Sequence, residues 1–265
     1  DDYIVIRTQE ELAQYIDASI ENDVISIDTE TTGLDPLQDK VVGVCIYTPG
    51  QKGAYIPINH ISYKTGVRVA EQLTEQQVSV VMQKLIDQHI QDIIMFNAKF
   101  DIHVLRHMGL KDIYCTWDGY LAARLLNENE ESSGLKALHK KYCLDGKGDA
   151  FAFESLFKGV RFDNVPIMTG YLYAAHDAVI TYELWQYQKK YLRLDSERED
   201  MKAIAWVFHN IEMPCVPVVA DMEDTGVAFD MQYQEKLLKQ YQKSLQEKMD
   251  NFYRVCDSFG EDLDK

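Results

Sequence analysis

Residues 25–34 read ISIDTETTGL, and the fold turns on how this stretch is understood. The run from Ile25 alternates like a strand, then breaks into Asp28-Thr29-Glu30 and a glycine turn at Gly33. Alternate residues of a strand share a face, so Asp28 and Glu30 point together, with backbones roughly 7 Å apart. Charge at the end of a buried run is unfavourable unless water or a counter-charge meets it. A solvated strand end meets that condition, and for a lone pair of acids it is the commoner outcome. A hard divalent cation meets it too, since Mg²⁺ and Mn²⁺ take oxygen ligands.

Working outward, VISID (24–28), VVGVCIY (41–47) and GAYIPI (53–58) are three strand-like runs separated by turn signals at Gly33, Pro36 and Pro49-Gly50. Short loops between them predict an antiparallel meander. Thr8 with Glu11 and Thr74 with Gln77 are capping boxes, each followed by apolar residues at helical spacing. DIIMF (92–96) predicts a strand and Ala98–His107 a helix; DIYCT (112–116) predicts another strand and Trp117–Leu126 another helix. GLKALHKKY (134–142) is a short amphipathic helix with a basic face of Lys136, Lys140 and Lys141, most simply a solvated face. Gly170–Tyr191 is helical in pattern. The expectation is an α/β sandwich with a mixed sheet over residues 1–193. Residues 210–230 read as an extended segment and turn, after which Asp230 caps a long helix running to about Cys256.

The composition excludes several classes. The chain has 265 residues and 46% hydrophobic content, enough for a substantial core. Its five cysteines are scattered without a C-x-x-C pair, which disfavours structural zinc and a disulfide framework. The acidic, polar start shows no signal peptide, so a reducing cytoplasm is expected. The sequence carries no apolar run of the roughly 18–20 residues that a membrane span needs, and no membrane partner is expected. A net charge of −16 argues against broad phosphate contact, although bound cations can hold phosphate on an acidic protein.

Two further constellations join Asp28 and Glu30. Asn97 and Asp101, at the start of the helix after DIIMF, are four apart and can share a face. Tyr173 and Asp177 repeat that spacing on a late helix, whereas His176 lies about 100° around it and faces elsewhere. Taken singly, each pair has a plain structural explanation: a helix-dipole carboxylate for Asp101, a surface acid beside a core tyrosine for Asp177.

In order, D-x-E, N-x-x-x-D and Y-x-x-x-D resemble the three motifs of the DEDD family of 3′→5′ exonucleases. Tyr173 stands four before the last acid, and Leu172 stands where the other branch has histidine, so the chain resembles the tyrosine branch. The stretch NIEMPCVPVVADMEDTGVAFD (210–230) is similar to the opening of the polymerase domain of family A polymerases. WDGYLAARLLN and GLKALHKKY are similar to segments of their proofreading domains, and the resemblance is weakest over 145–168. It implies a ribonuclease H-like mixed sheet flanked by helices, with a C-terminal helical extension. Residues 1–193 would be the exonuclease domain and 194–265 the start of a truncated polymerase domain, without polymerase activity.

The implied reaction is phosphodiester hydrolysis at a single-stranded DNA 3′ end by a two-metal mechanism with Mg²⁺ or Mn²⁺. Asp28 would bridge both ions, Glu30 and Asp177 would complete the site for the attacking water, and Asp101 would support the second ion. Tyr173, with an ordinary pKa of about 10, would orient that water rather than act as a base. Thr31 and Leu34 would contact the 3′ end, Leu34 as a wedge against the terminal bases; Asn97 and Phe100 would flank the strand. Core packing is the alternative for Leu34 and Phe100. A monomer is expected, with the remainder of a polymerase chain as its natural partner. An RNA-trimming exonuclease and a catalytically dead spacer domain stay open as alternatives.

Overall fold

The strand carrying Asp28 and Glu30 lies inside a six-stranded mixed sheet. The computed structural model describes residues 2–146 and 159–258; half of the weakly matching stretch 145–168, residues 147–158, falls outside them. In chain order the strands are β1 (Tyr3–Val5), β2 (Val24–Thr31), β3 (Val41–Tyr47), β4 (Gly53–Pro57), β5 (Asp92–Met95) and β6 (Trp117–Asp118). Their order across the sheet is β1-β4-β3-β2-β5-β6. The β2-β3-β4 meander is antiparallel, and β5, β6 and β1 join it in parallel. The short edge strand β1 was not legible in the sequence.

Helices cover both faces. α1 (Gln9–Glu21) and α2 (Glu75–Asp87) begin at Thr8 and Thr74, and both capping boxes form as expected. They bury Leu12, Ile16, Val78, Met82 and Leu85 against Ile25, Ile27, Val44, Ile46 and Ile56 of the sheet. α3 (Ala98–Met108), α4 (Gly119–Leu126), α5 (Leu135–Tyr142) and α6 (Ile167–Gln188) follow. α6 lies across the other face, where Ala174, Ala175 and Ala178 pack on Val42, Cys45 and Tyr55. Small side chains let the helix come close, and the Ser26 hydroxyl donates to the Ala178 carbonyl at 2.6 Å. That contact places Ser26, and with it Asp28 and Glu30 by strand alternation, on the α6 face.

Two elements differ from the sequence reading. The run DIYCT is not a strand; pairing with β5 starts only at Thr116, whose N–H donates to the Ile93 carbonyl. Asp112 has a positive φ of 55°, which breaks the extended path. Ile113 is buried by packing instead. Residues 210–225 are helical rather than extended: α7 (Glu199–Val207) runs through a π-helical turn (Phe208–Glu212) into α8 (Met213–Thr225). A proline crowds the carbonyl four residues before it. For Pro214 that residue is Asn210, inside the π turn, where the widened backbone relieves the clash. Pro217 stays within α8, which is held by burying Met213, Val216 and Ala220. By length and composition the helical run Glu199–Thr225 is apolar enough to cross a membrane; here its inward residues Ala205, Phe208, Met213 and Val216 belong to the core of the sheet.

Contacts divide the chain into Asp1–Asp224 and Thr225–Lys265. The second unit is α9 (Met231–Ser258), capped by Asp230, whose carboxylate accepts from the Tyr233 N–H at 2.9 Å. Its apolar residues Leu238, Tyr241, Leu245, Phe252 and Val255 are exposed.

Ile27 is fully buried under α1 and α2, whereas Val80 on α2 is 62% exposed. Ile27→Ala is therefore expected to lower stability by about 2–5 kcal/mol, and Val80→Ala to stay within about 0.5 kcal/mol of the parent. Urea unfolding monitored by circular dichroism checks both; equal midpoints would contradict the packing described.

Candidate active site

Asp28 and Glu30 project from the end of β2 toward α6. Asp28 pairs with Cys45 and Glu30 with Gly43 across the antiparallel ladder, and the register shifts immediately afterwards, between Glu30 and Thr31. Such a bulge turns the strand end and re-aims its side chains. Gly43 is required by space: a Cβ there would sit 2.2 Å from the Tyr55 hydroxyl. The absent side chain makes room for the Tyr55 ring beside the strand position that pairs with Glu30.

Asp101 reaches the same place from the first turn of α3. Its carboxylate is buried and accepts from the Thr29 hydroxyl at 2.7 Å. α3 starts at Asn97, which is left-handed at φ 61° and makes no side-chain cap. The capping role belongs to Asp118, whose buried carboxylate accepts from the N–H groups of Asn97 (2.9 Å) and Ala98 (2.8 Å) and, on its own helix, of Tyr120 (2.8 Å). One carboxylate thus caps α3 and α4 together and sets the position of Asp101. Asp177 and Tyr173 enter from α6, one turn apart.

These acids lie close enough to act on one another's ionisation. Burial, then the carboxylates of Asp101, Glu30 and Asp177, hold Asp28 well above the usual carboxylate range. Burial pushes Asp101 up to about 7 against the opposing Thr29 hydrogen bonds. Lys136 of α5 lies within this cluster: its ammonium is 3.1 Å from Asp177 Oδ2 and 3.6 Å from the centre of the Tyr173 ring. The basic face of α5 is therefore divided, with Lys136 turned inward while Lys141 pairs with Glu130 at 2.7 Å. A partly buried set of converging oxygen donors that already accepts one ammonium fits hard divalent cations.

The remaining candidates spread around this centre. Leu34 is 93% exposed, which removes the core-packing alternative for it. The turn that presents Leu34 is tied by Asp39, which accepts from the Thr32 hydroxyl at 2.7 Å and the Asp35 N–H at 2.9 Å. Gly33 is needed there because a Cβ would meet the Asp39 carboxylate at 2.4 Å. The Thr31 hydroxyl donates to the Gly33 carbonyl at 2.6 Å. Asn97 is exposed at the start of α3, and Phe100 packs partly on the core. His176 is hydrogen-bonded to the Tyr3 hydroxyl at 2.8 Å through Nδ1. Sequence reasoning did not single out Asp118, Lys136, Thr29 or Cys45 as parts of the site. Asp118 before Gly-Tyr carries an N-cap signal for its own helix; the second cap is a long-range contact with no local trace.

Comparison with known proteins agrees with this architecture. The model of the 3′-5′ exonuclease family found in family A DNA polymerases matches residues 3–193. The chain belongs to that family and is an exonuclease. It is 28% identical over 269 residues to DNA polymerase I of Treponema pallidum, covering 89% of this chain and 26% of the relative. With DNA polymerase I of Pseudomonas aeruginosa it shares 30% over 237 residues, covering 86% of this chain and 24% of the relative. It thus spans about a quarter of the length of these relatives. Among solved structures, the POL domain of Pol1 from M. smegmatis matches with a TM-score of 0.64 at 15% identity, covering 98% of this chain and 38% of that one. Escherichia coli RNase D matches with a TM-score of 0.53 at 14% identity, covering 85% and 51%. At these identities the likeness establishes a ribonuclease H-like fold.

The elevated pKa of Asp101 has a stability consequence. Between its ordinary value of 3.8 and about 7, the folded chain keeps a proton that the unfolded chain has released. The stability linked to that proton is full below 3.8 and is lost as pH rises through about 7. In chelator, the Tm of the parent minus that of Asp101→Asn should fall across this window and level off above it. A difference independent of pH would contradict the burial of Asp101.

Proposed function

We propose that this exonuclease trims single-stranded DNA from its 3′ end, releasing nucleoside monophosphates, as the proofreading part of a family A polymerase in a bacterial or phage-infected cell. The observation that carries the proposal is the meeting of Asp28, Glu30, Asp101 and Asp177 at one end of β2, with Tyr173 beside them, in a chain of this family. Four carboxylates would hold two divalent cations, Mg²⁺ or Mn²⁺. When bound, such ions stabilise charge on the phosphoryl group and lower the pKa of water.

The chain's own residues do the rest. Tyr173, one turn before Asp177 on α6, would orient a water there through its hydroxyl. Leu34 stands clear of the protein on a tied turn and can wedge against the terminal bases, a contact that tolerates any base. Thr31, Asn97 and Phe100 would line the path of the strand. Residues 1–193 form the exonuclease domain in this reading, and 194–265 correspond to the beginning of a polymerase domain, the remainder of which would be the natural partner. The polymerase-like stretch 210–230 favours DNA over an RNA-trimming role.

On a 5′-labelled single strand with Mn²⁺, Asp28→Ala and Asp177→Ala are expected to lower nucleotide release by on the order of 10³-fold, whereas Tyr173→Phe keeps a measurable rate. Leu34→Ala should raise KM without loss of stability. Full activity of Asp28→Ala, or faster degradation of RNA than DNA, would sink this reading.

A further inference from the structure

Cys45 is fully buried at the floor of the acid pocket, directly opposite Asp28 on β3. Its Sγ and one carboxylate oxygen each of Asp28 and Glu30 lie within 4.8 Å of one another. Among the described residues the thiol makes no hydrogen bond. Val42, Tyr55, Phe162 and Ala174 share its apolar cluster, and the carboxylates of Asp28 and Glu30 are the polar groups that approach it. A sulfur there is out of keeping with a site for Mg²⁺, which avoids sulfur ligands. Zn²⁺, Co²⁺ and Cd²⁺ accept mixed sulfur and oxygen sets. Tetrahedral zinc bonds of about 2.0–2.3 Å place donors about 3.5 Å apart, so small side-chain rotations close this set.

We propose that Cys45, Asp28 and Glu30 form a mixed sulfur–carboxylate site that captures thiophilic divalent cations, competing with the hard cations of the exonuclease centre. This rests on the reading of the acids as a cation site. On capture, the S–H bond yields its proton to solvent and the sulfur electron pair forms the bond to the metal; no oxidant or reductant takes part. The consequence is an exonuclease whose metal occupancy responds to traces of zinc-like ions.

The test uses the full chain freed of metal by chelation. Titration with Co²⁺ and Cd²⁺ should give sulfur-to-metal charge-transfer absorption, and saturating Mn²⁺ should suppress it. Cys45→Ser should lose the band and weaken Cd²⁺ binding by about tenfold or more, while Mn²⁺ affinity by calorimetry changes less than about threefold. Cys45→Ala serves the same purpose if the serine variant does not fold. A band that survives in these variants, or that persists at saturating Mn²⁺, belongs to another cysteine and overturns the proposal. Mn²⁺ binding without any sulfur band in the parent overturns it while leaving the acid site standing. No binding of Mn²⁺ at all overturns both.

Discussion

Four carboxylates brought together in a partly buried pocket repel one another, and the architecture is arranged around that repulsion. Each acid arrives on a different element or strand position, so no single helix or strand bears the whole charge. Asp101 is placed in the first turn of α3, where the helix dipole favours an anion, and the Thr29 hydroxyl supports it from the opposite face of β2. Lys136 sets an ammonium on Asp177. What remains uncompensated falls on Asp28, which burial and its three neighbours push toward protonation. The pocket is thus a place where positive charge is missing, built into a fold whose apolar faces are otherwise closely packed.

Local signals in the sequence announced most of this. The strand around Asp28, the two capping boxes and the helical spacing of Tyr173 and Asp177 all depend on neighbours within a turn or a strand, and all appear as read. The order of the three acid pairs carried the family resemblance, and the family match over residues 3–193 upholds it. The parts that were not legible depend on distant partners. β1 is three residues long and exists because β4 offers it a parallel edge. Lys136 looked like one of three lysines on a wet helix face; the packing of α5 on α6 turns it inward. Residues 210–230 read as an extended segment and turn, whereas the π turn and the burial of Met213 and Val216 accommodate a helix over 210–225.

The overall acidity of the chain takes on a different meaning with the pocket in view. A charge of −16 weighed against nucleic acid when counted as a whole. Some of that charge is concentrated in the pocket, where it is suited to cations rather than to phosphate directly. Another part, at the end of α8, is spent within the protein. Lys99, His103 and Arg106 form a stripe along the outer face of α3, and they meet Glu223, Asp224 and Asp221.

α3 is therefore held in two ways while it presents Asp101. Its first N–H groups are fixed by the buried Asp118 carboxylate, and its outer face is fixed by acids up to 124 positions further along the chain. His103 is the centre of the second hold, buried with one ring nitrogen 2.8 Å from Asp224 and the other 2.9 Å from Glu223. The inner face of the helix is held by packing, with Ile102, Val104, Leu105 and Met108 in the core. The ion pairs with α8, one to two turns beyond the Asp118 cap, add to that packing on the opposite side. α8, which lies outside the segment that the family model covers, thus brings its acids onto the helix that presents Asp101.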